Sequence, residues 1–405
     1  MTTINKLKNK RPSNKTERIL GIVALSTIIA AGVIGFYLEN AEIEPYLQAA
    51  YPEAQFFEKL DAGTYAAYAD TACTELIGYV GTGEANGYGG PMRLIAGVNL
   101  NGEVVGISVV KHSETPSWFD KVKESGFIED LLGKNYLDPF KLGEDVDGVS
   151  SATYTSRAIA NSVLNASRKV AQNQLGLEVP ASPKPKIVFG VPEITLIALF
   201  AIGYFGKQGN FKYKKQLRWI SMLTGMVVLG FIYNSPLTLA YINKLLMGFW
   251  PEWQSNLYWY LLIGGILFVF TVDNKNPYCQ WFCPFGGAQE CLGAIGGARL
   301  ISPGKHRNWM KWLRRFVVWF AIVIALLTRS SGLTSYEIFG TLFSLLGNNI
   351  QFILLGIILI ASLFIKRPWC TYLCPLGPVD EFIRMVRKWI LEQWRKRITR
   401  SADTK

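Results

Sequence analysis

The sequence predicts an α-helical membrane protein of about six transmembrane helices, with a parallel internal repeat and an inserted α+β exocytoplasmic domain. Three observations predict it. Half of the 405 residues are hydrophobic, mean hydropathy is +0.19 and there are 12 Trp, a balance tilted away from ordinary soluble chains. Uncharged apolar runs recur, and Lys and Arg gather in alternate connections between them. The long segment after the first run instead alternates apolar and polar residues, as half-buried strands do.

Residues 1–18 form a basic tail, and Ile19–Leu38 (ILGIVALSTIIAAGVIGFYL) is an uncharged run long enough to cross a hydrocarbon core of roughly 30 Å. No A-x-A cleavage site follows, so residues 19–38 read as a retained anchor rather than a signal peptide. Residues 39–185 form the inserted domain. Helices are expected over Glu44–Leu60 and Ser156–Gln174, with a hairpin over Arg93–Val110 turning at Asn101-Gly102. The Pro-rich stretch Gly176–Lys186 is a tether. Further apolar runs lie at Ile187–Phe205, Trp219–Tyr233, Leu257–Val272, Arg315–Thr328 and Ile350–Ile365. Residues 187–288 contain the first repeat and 313–380 the second, each running from an Arg-bearing helix start to a C-x3-C-P motif, and 381–405 is a second basic tail. Repeats that begin and end on one side are related by an axis along the membrane normal, which sets the two cysteine motifs facing each other.

Of 42 Lys and Arg, 28 fall in residues 1–18, 205–218, 272–315 and 366–405, which places both termini and both cysteine motifs in the cytoplasm by the positive-inside rule. The location is therefore a cell membrane, multi-pass, with residues 39–185 outside. That segment is acidic, so the net charge of +12 reflects topology and excludes a nucleic-acid role. Cys73 is alone outside, whereas Cys279, Cys283, Cys291, Cys370 and Cys374 lie on the reducing side, where thiols suit metal or redox chemistry.

Cys279-x3-Cys283-Pro284 and Cys370-x3-Cys374-Pro375 supply four soft ligands next to helix-ending prolines, a donor set for an iron–sulfur cluster or zinc, with a dithiol switch as the rival. His112 and His306 are the only histidines, so no membrane-embedded pair is present to hold haem. Glu193, in FGVPEITLI, is either an intramembrane proton-handling carboxylate or an interfacial one. In the inserted domain, DGVSSATYTS (Asp147–Ser156) packs five Ser and Thr hydroxyls at the start of a helix, and GYGGPM and SETP precede it.

In this order, GYGGPM, the hairpin, SETP and DGVSSAT resemble the FMN-binding domain family that includes the C and G subunits of sodium-pumping and Rnf-type redox pumps. The resemblance implies FMN joined by a phosphoester to Thr153, attached by a flavin transferase, with Ser151 standing where the family has Gly. It also implies FMN contacts from Gly89, Gly90, Glu114, Thr115, Asp147, Ser150, Ser151 and Ala152. The anchor, domain and paired C-x3-C-P repeats are similar to membrane flavoproteins of the nitrous-oxide-reductase regulator type. They are closer still to the reductive-dehalogenase accessory proteins of type C, because the chain ends soon after Cys374. Electron transfer, with FMN, an iron–sulfur cluster and menaquinone as cofactors, is then expected. The partners would be an exocytoplasmic redox enzyme, the quinone pool and membrane lipid; a redox-sensing regulatory or maturation factor is the alternative.

Overall fold

The computed structural model of the protein describes residues 14–38, 42–61, 63–150, 152–181, 186–208, 212–274, 276–300, 304–334 and 336–403. Its first helix, α1 (Asn14–Tyr37), is apolar on nearly every side, and most of its large side chains are exposed. Within it, Thr16–Tyr37 has a mean hydropathy of 2.4 and is, among the described residues, the one stretch long and apolar enough to cross a membrane. Val191–Gly206, Leu257–Asp273 and Asn349–Phe364 are apolar but shorter.

The helix expected over Glu44–Leu60 is corrected by the structure. A 3₁₀ turn at Glu44–Tyr46 leads into α2 (Leu47–Ala50), and the helix stops before Pro52, which has no N–H to donate and disfavours helical backbone in the residue ahead of it. The chain then forms β1 (Phe56–Asp61), β2 (Thr64–Tyr68), β3 (Leu76–Asn86), β4 (Pro91–Asn99) and β5 (Val104–His112), an antiparallel meander in sequence order. The β4–β5 hairpin turns at Asn101-Gly102, with Gly102 at φ 81°, as the Asn-Gly pair predicts.

Two helices follow, α3 (Pro116–Glu124) and α4 (Thr153–Asn173), and α4 lies across β3 and β4. Alternation on β4 sends Leu94 and Ala96 into the core under α4, and Ile95 into a second core with Leu47, Tyr65 and Val80 on the opposite face. Gly81 and Gly83 let α4 approach: a Cβ on Gly83 would sit 1.9 Å from the carbonyl oxygen of Ser162. The sheet thereby fixes the position of Thr153, the first residue of α4.

The helical half opens with α5 (Val191–Gln208). Two similarly ordered units come next. In the first, α6 (Lys214–Thr224) continues as a π-helix over Gly225–Ile232, passes through Asn234 at φ 43°, and leads to α7 (Leu239–Leu246), α8 (Leu257–Asp273), a π-helical turn at Tyr278–Phe282 and α9 (Pro284–Gly296). In the second, α10 (Arg307–Thr328) passes through Arg329 at φ 53° to α11 (Phe339–Ser344), α12 (Asn349–Phe364), α13 (Pro368–Tyr372) and α14 (Leu376–Asp403).

The likeness extends to side chains. Arg218 donates to the carbonyl of Gln280 at 3.2 Å and pairs with Glu290 at 2.5 Å; Arg314 donates to the carbonyl of Thr371 at 3.0 Å and pairs with Glu381 at 3.0 Å. Gln280 and Thr371 each follow the first cysteine of a motif, and Glu290 and Glu381 each lie seven residues past the second. Both units feed one core, in which Tyr278, Phe282, Phe285, Phe339 and Trp369 are fully buried. Each such side chain stabilises the fold by about 1.5–3 kcal/mol.

Candidate functional site

The sheet domain sits directly on the helical half through the loop Gly87–Gly90. Lys244, on α7 and 3% exposed, donates to the carbonyls of Gly87 and Tyr88. Ser331 donates to the carbonyl of Gly89, Ser113 donates to the carbonyl of Arg329 at 2.9 Å, and the Gly332 N–H donates to the carbonyl of Ser113 at 3.1 Å. Gly89 has no room for a side chain, since a Cβ there would lie 2.1 Å from the Ser113 carbonyl oxygen.

Glu114 is the buried anion of this interface. Its carboxylate accepts from the Gly89 N–H at 2.9 Å and from the Thr155 hydroxyl at 2.7 Å. Burial raises its carboxyl above the ordinary range, opposed by those two donors and by Lys244. Burial likewise pulls the Lys244 ammonium down to about 8, against the pull of Glu114. Each charge makes the other tolerable where neither would be alone.

Between the two halves lies a cavity of about 340 Å³. Tyr88, Glu114, Trp118, Thr153 and Tyr154 line it from the sheet domain; Asn234, Ser235, Thr238, Trp259, Phe343 and Ser344 line it from the helical half. Tyr88 anchors its aromatic wall, with ring centroids 6.1 Å from Trp118, 6.1 Å from Trp259 and 6.2 Å from Tyr154. Thr153 is exposed at the open N-terminus of α4, and the residue ahead of it, Ala152, offers no side-chain cap. A phosphate suits such a helix end, and flat aromatic side chains suit a flavin ring, so the residues present fit FMN.

Cys279, Cys283 and Cys374 lie in the core that both units feed, and Cys370 is reached by the Gln289 side-chain amide at 3.4 Å. Cys283 and Cys374 are buried, and Cys279 and Cys370 are partly so. The residue ahead of the first cysteine in each motif reaches toward the cavity wall. The Tyr278 hydroxyl accepts from the Leu237 N–H at 2.9 Å, between cavity-lining Pro236 and Thr238. Trp369 packs on Phe339 with centroids 6.2 Å apart, beside cavity-lining Gly340.

Among the described residues no three His, Cys, Asp or Glu side chains converge closely enough to hold one metal ion. Four thiolates are the donor set that an iron–sulfur cluster takes. The indole N–H of Trp369, buried beside Cys370, has no acceptor among the described residues, and a cluster sulfide is the kind of group that supplies one.

Of the sequence-predicted residues, Glu114, Ala152 and Thr153 line the cavity, and Thr115, just before α3, lines a smaller one of about 20 Å³. Gly89 and Gly90 serve the docking loop rather than the cavity lining. Asp147 is exposed outside it, and the Ser150 carbonyl accepts from Lys121 at 2.8 Å. Ser151 lies outside the described residues. Glu193 accepts from the Gly190 N–H at 2.8 Å at the start of α5, a helix-end role.

Sequence reasoning missed Lys244 and every cavity residue from the helical half. The one available signal was a lone lysine in the otherwise uncharged stretch Asn234–Pro251, a costly residue to place there without a partner.

Comparison with known proteins finds a family match over each half of the chain. Residues 87–168 match the FMN-binding domain family, and residues 255–303 and 351–396 match the 4Fe-4S binding domain family. Protein NirI of Paracoccus denitrificans is 29% identical over 213 residues, covering 46% of this chain and 30% of that protein. The G component of the ion-translocating oxidoreductase complex is 36% identical over 101 residues in Vibrio atlanticus, covering 23% of this chain and 48% of that protein. In Cereibacter sphaeroides it is 32% identical over 124 residues, covering 28% and 53%. The chain thus spans about half or less of the length of the curated relatives it matches. It carries an FMN-binding domain and a 4Fe-4S binding domain, and is homologous to NirI and to these G components.

Proposed function

We propose that the chain is a membrane-bound flavoprotein that transfers electrons, drawn from menaquinol, through FMN esterified to Thr153, to an exocytoplasmic redox enzyme such as a reductive dehalogenase. The observation that carries this reading is the contiguity of the two sites: Tyr278 and Trp369 each join a cysteine motif to the wall of the cavity at Thr153. Homology to components of redox complexes supports the same class of activity.

FMN supplies a carrier that accepts electrons in pairs and releases them singly, and Cys279, Cys283, Cys370 and Cys374 would hold a one-electron iron–sulfur partner. The chain's own residues do the rest. Trp118, Trp259 and Tyr88 would keep water from a bound ring, the first turn of α4 would hold the phosphate, and Glu114, with its raised carboxyl, can hold a proton on its Oε atoms at the cavity wall.

In the membrane we place both termini in the cytoplasm and residues 39–185 outside, on the strength of the Lys and Arg distribution. Residues 233–238 and 336–343 then dip into the bundle to meet the cysteine turns, so that no quinone need shuttle between flavin and cluster. A flavin transferase would load Thr153 from the outside.

The test is in-gel flavin fluorescence of denatured protein co-expressed with a flavin transferase, with mass spectrometry of the tryptic peptide ending at Arg157, followed by steady-state quinol oxidation. Thr153→Ala should abolish covalent flavin and Thr155→Ala should keep it. Flavin persisting in Thr153→Ala would show the acceptor to be misassigned, and loaded protein that fails to oxidise quinol would favour the sensing role.

A further inference from the structure

We propose that Asn276 and Gln289 are positioning residues that set the reduction potential of the cluster held by the four cysteines, each by donating a side-chain N–H to a ligand sulfur; this rests on the cysteine reading above. Asn276 Nδ2 lies 3.4 Å from the sulfur of Cys279, and Gln289 Nε2 lies 3.4 Å from the sulfur of Cys370. The first cysteine of each motif therefore receives one amide donor.

Both amides are oriented by other bonds, which fixes the N–H end toward sulfur. Gln289 is fully buried; its carbonyl accepts from the Trp369 N–H at 2.9 Å, and its amide also donates to the Phe285 carbonyl at 3.2 Å. Asn276 accepts from the Cys279 N–H at 3.4 Å and donates to Asp380 at 3.2 Å. A carboxamide is costly to bury, and an apolar side chain of similar shape could fill either position. What the amide adds is a donor that stabilises negative charge on sulfur.

The repeat sharpens the point. Three residues before the first cysteine stand Asn276 in one unit and Arg367 in the other, and ten residues after it stand Gln289 and Asp380. Asp380 orients Asn276, while Arg367 donates to the Cys279 carbonyl at 2.8 Å. The sulfur donors come from the first unit and the charged groups that brace them come from the second.

Reduction would add one electron, and so one negative charge, to the cluster, and a donor to sulfur therefore favours the reduced form. Losing one donor should shift the reduction equilibrium about tenfold toward the oxidised form, a fall of about 59 mV for one electron. The experiment compares anaerobically purified full-length wild type with Gln289→Met, Gln289→Glu and Asn276→Ala. Iron and sulfide content is measured first, then the midpoint potential in a dithionite titration followed by EPR.

The expected result is unchanged iron and sulfide with a midpoint lowered in all three variants, furthest in Gln289→Glu, where a carboxylate replaces the donor. Intact clusters with an unshifted midpoint would overturn the proposal. So would folded variants that simply lose their iron, since the amides would then be scaffolding. Wild type lacking iron and sulfide would sink the cysteine reading itself, and this inference with it.

Discussion

Replacing Gly83 with Ala tests how the sheet positions Thr153. Gly83 lies on β3 beneath α4, where a Cβ would meet the Ser162 carbonyl oxygen at 1.9 Å, the Ala166 N–H nitrogen at 2.8 Å and the Ala166 Cβ at 3.0 Å. Two of these three are backbone atoms of a helix, so no rotamer change relieves the clash. Helix α4 must lift by about 1 Å or the strand must bend. Overpacking of this kind costs about 1–3 kcal/mol. For a domain of this size each kcal/mol lowers Tm by roughly 2–4 °C, which predicts a drop of several degrees in the unfolding of the sheet domain. Because Thr153 is the first residue of the displaced helix, the yield of covalent flavin should fall in parallel. Differential scanning fluorimetry and in-gel flavin fluorescence on the full chain read the two effects. Wild-type Tm and full flavin loading in Gly83→Ala would refute the claim that glycine is required for this approach.

Thr155→Val keeps the shape but removes the 2.7 Å donor to Glu114, so the sheet domain should lose about 1–3 kcal/mol of stability while retaining covalent flavin; unchanged thermal unfolding would show that bond to be idle. The Lys244 ammonium has a folded pKa of about 8 against an ordinary 10.5, so the folded state binds fewer protons than the unfolded between those values, and its contribution to stability grows as pH rises from 8 toward 10.5. The Tm difference between wild type and Lys244→Met should therefore move in favour of wild type across that range, and a flat difference would count against a buried Lys244. Serine in place of any one of Cys279, Cys283, Cys370 or Cys374 should remove most of the iron, and single variants with full metal content would instead indicate a dithiol pair. A topology reporter fused at Ala85 should read outside, and a cytoplasmic signal there would reverse the orientation.

The parts of the fold legible in the sequence were those written in short-range pattern. The Asn101-Gly102 hairpin, the helix entered from DGVSSAT and the apolar helix that covers residues 19–37 depend on neighbours a few positions apart. Strand β1 was missed because FFEKLD alternates poorly and follows a helical start; its place is set by pairing with Thr64–Tyr68, a tertiary preference that overrides local propensity. The cysteine quartet was legible because spacing and prolines repeat. The cavity was only half legible: Glu114 and Thr153 lie in recognisable motifs, whereas Asn234, Trp259 and Phe343 stand in apolar stretches that carry no motif until folding brings them to Thr153. Lys244 carried a faint signal through its isolation, but its partners are backbone carbonyls of Gly87 and Tyr88, about 160 residues away, and no sequence pattern marks those.

That division of the cavity wall bears on biosynthesis. One side comes from residues 88–155 and the other from residues 231–344, so the chamber around Thr153 cannot be complete until the second repeat has been made and folded. During that interval the sheet domain, whose two cores are its own, can fold while its aromatic face of Tyr88, Trp118 and Tyr154 still lacks its opposite wall. A ribosome moving at about 5–20 residues per second covers that distance in roughly ten to forty seconds. A modifying enzyme arriving in that window meets Thr153 on an open shelf, and the helical half then builds the room around whatever has been attached.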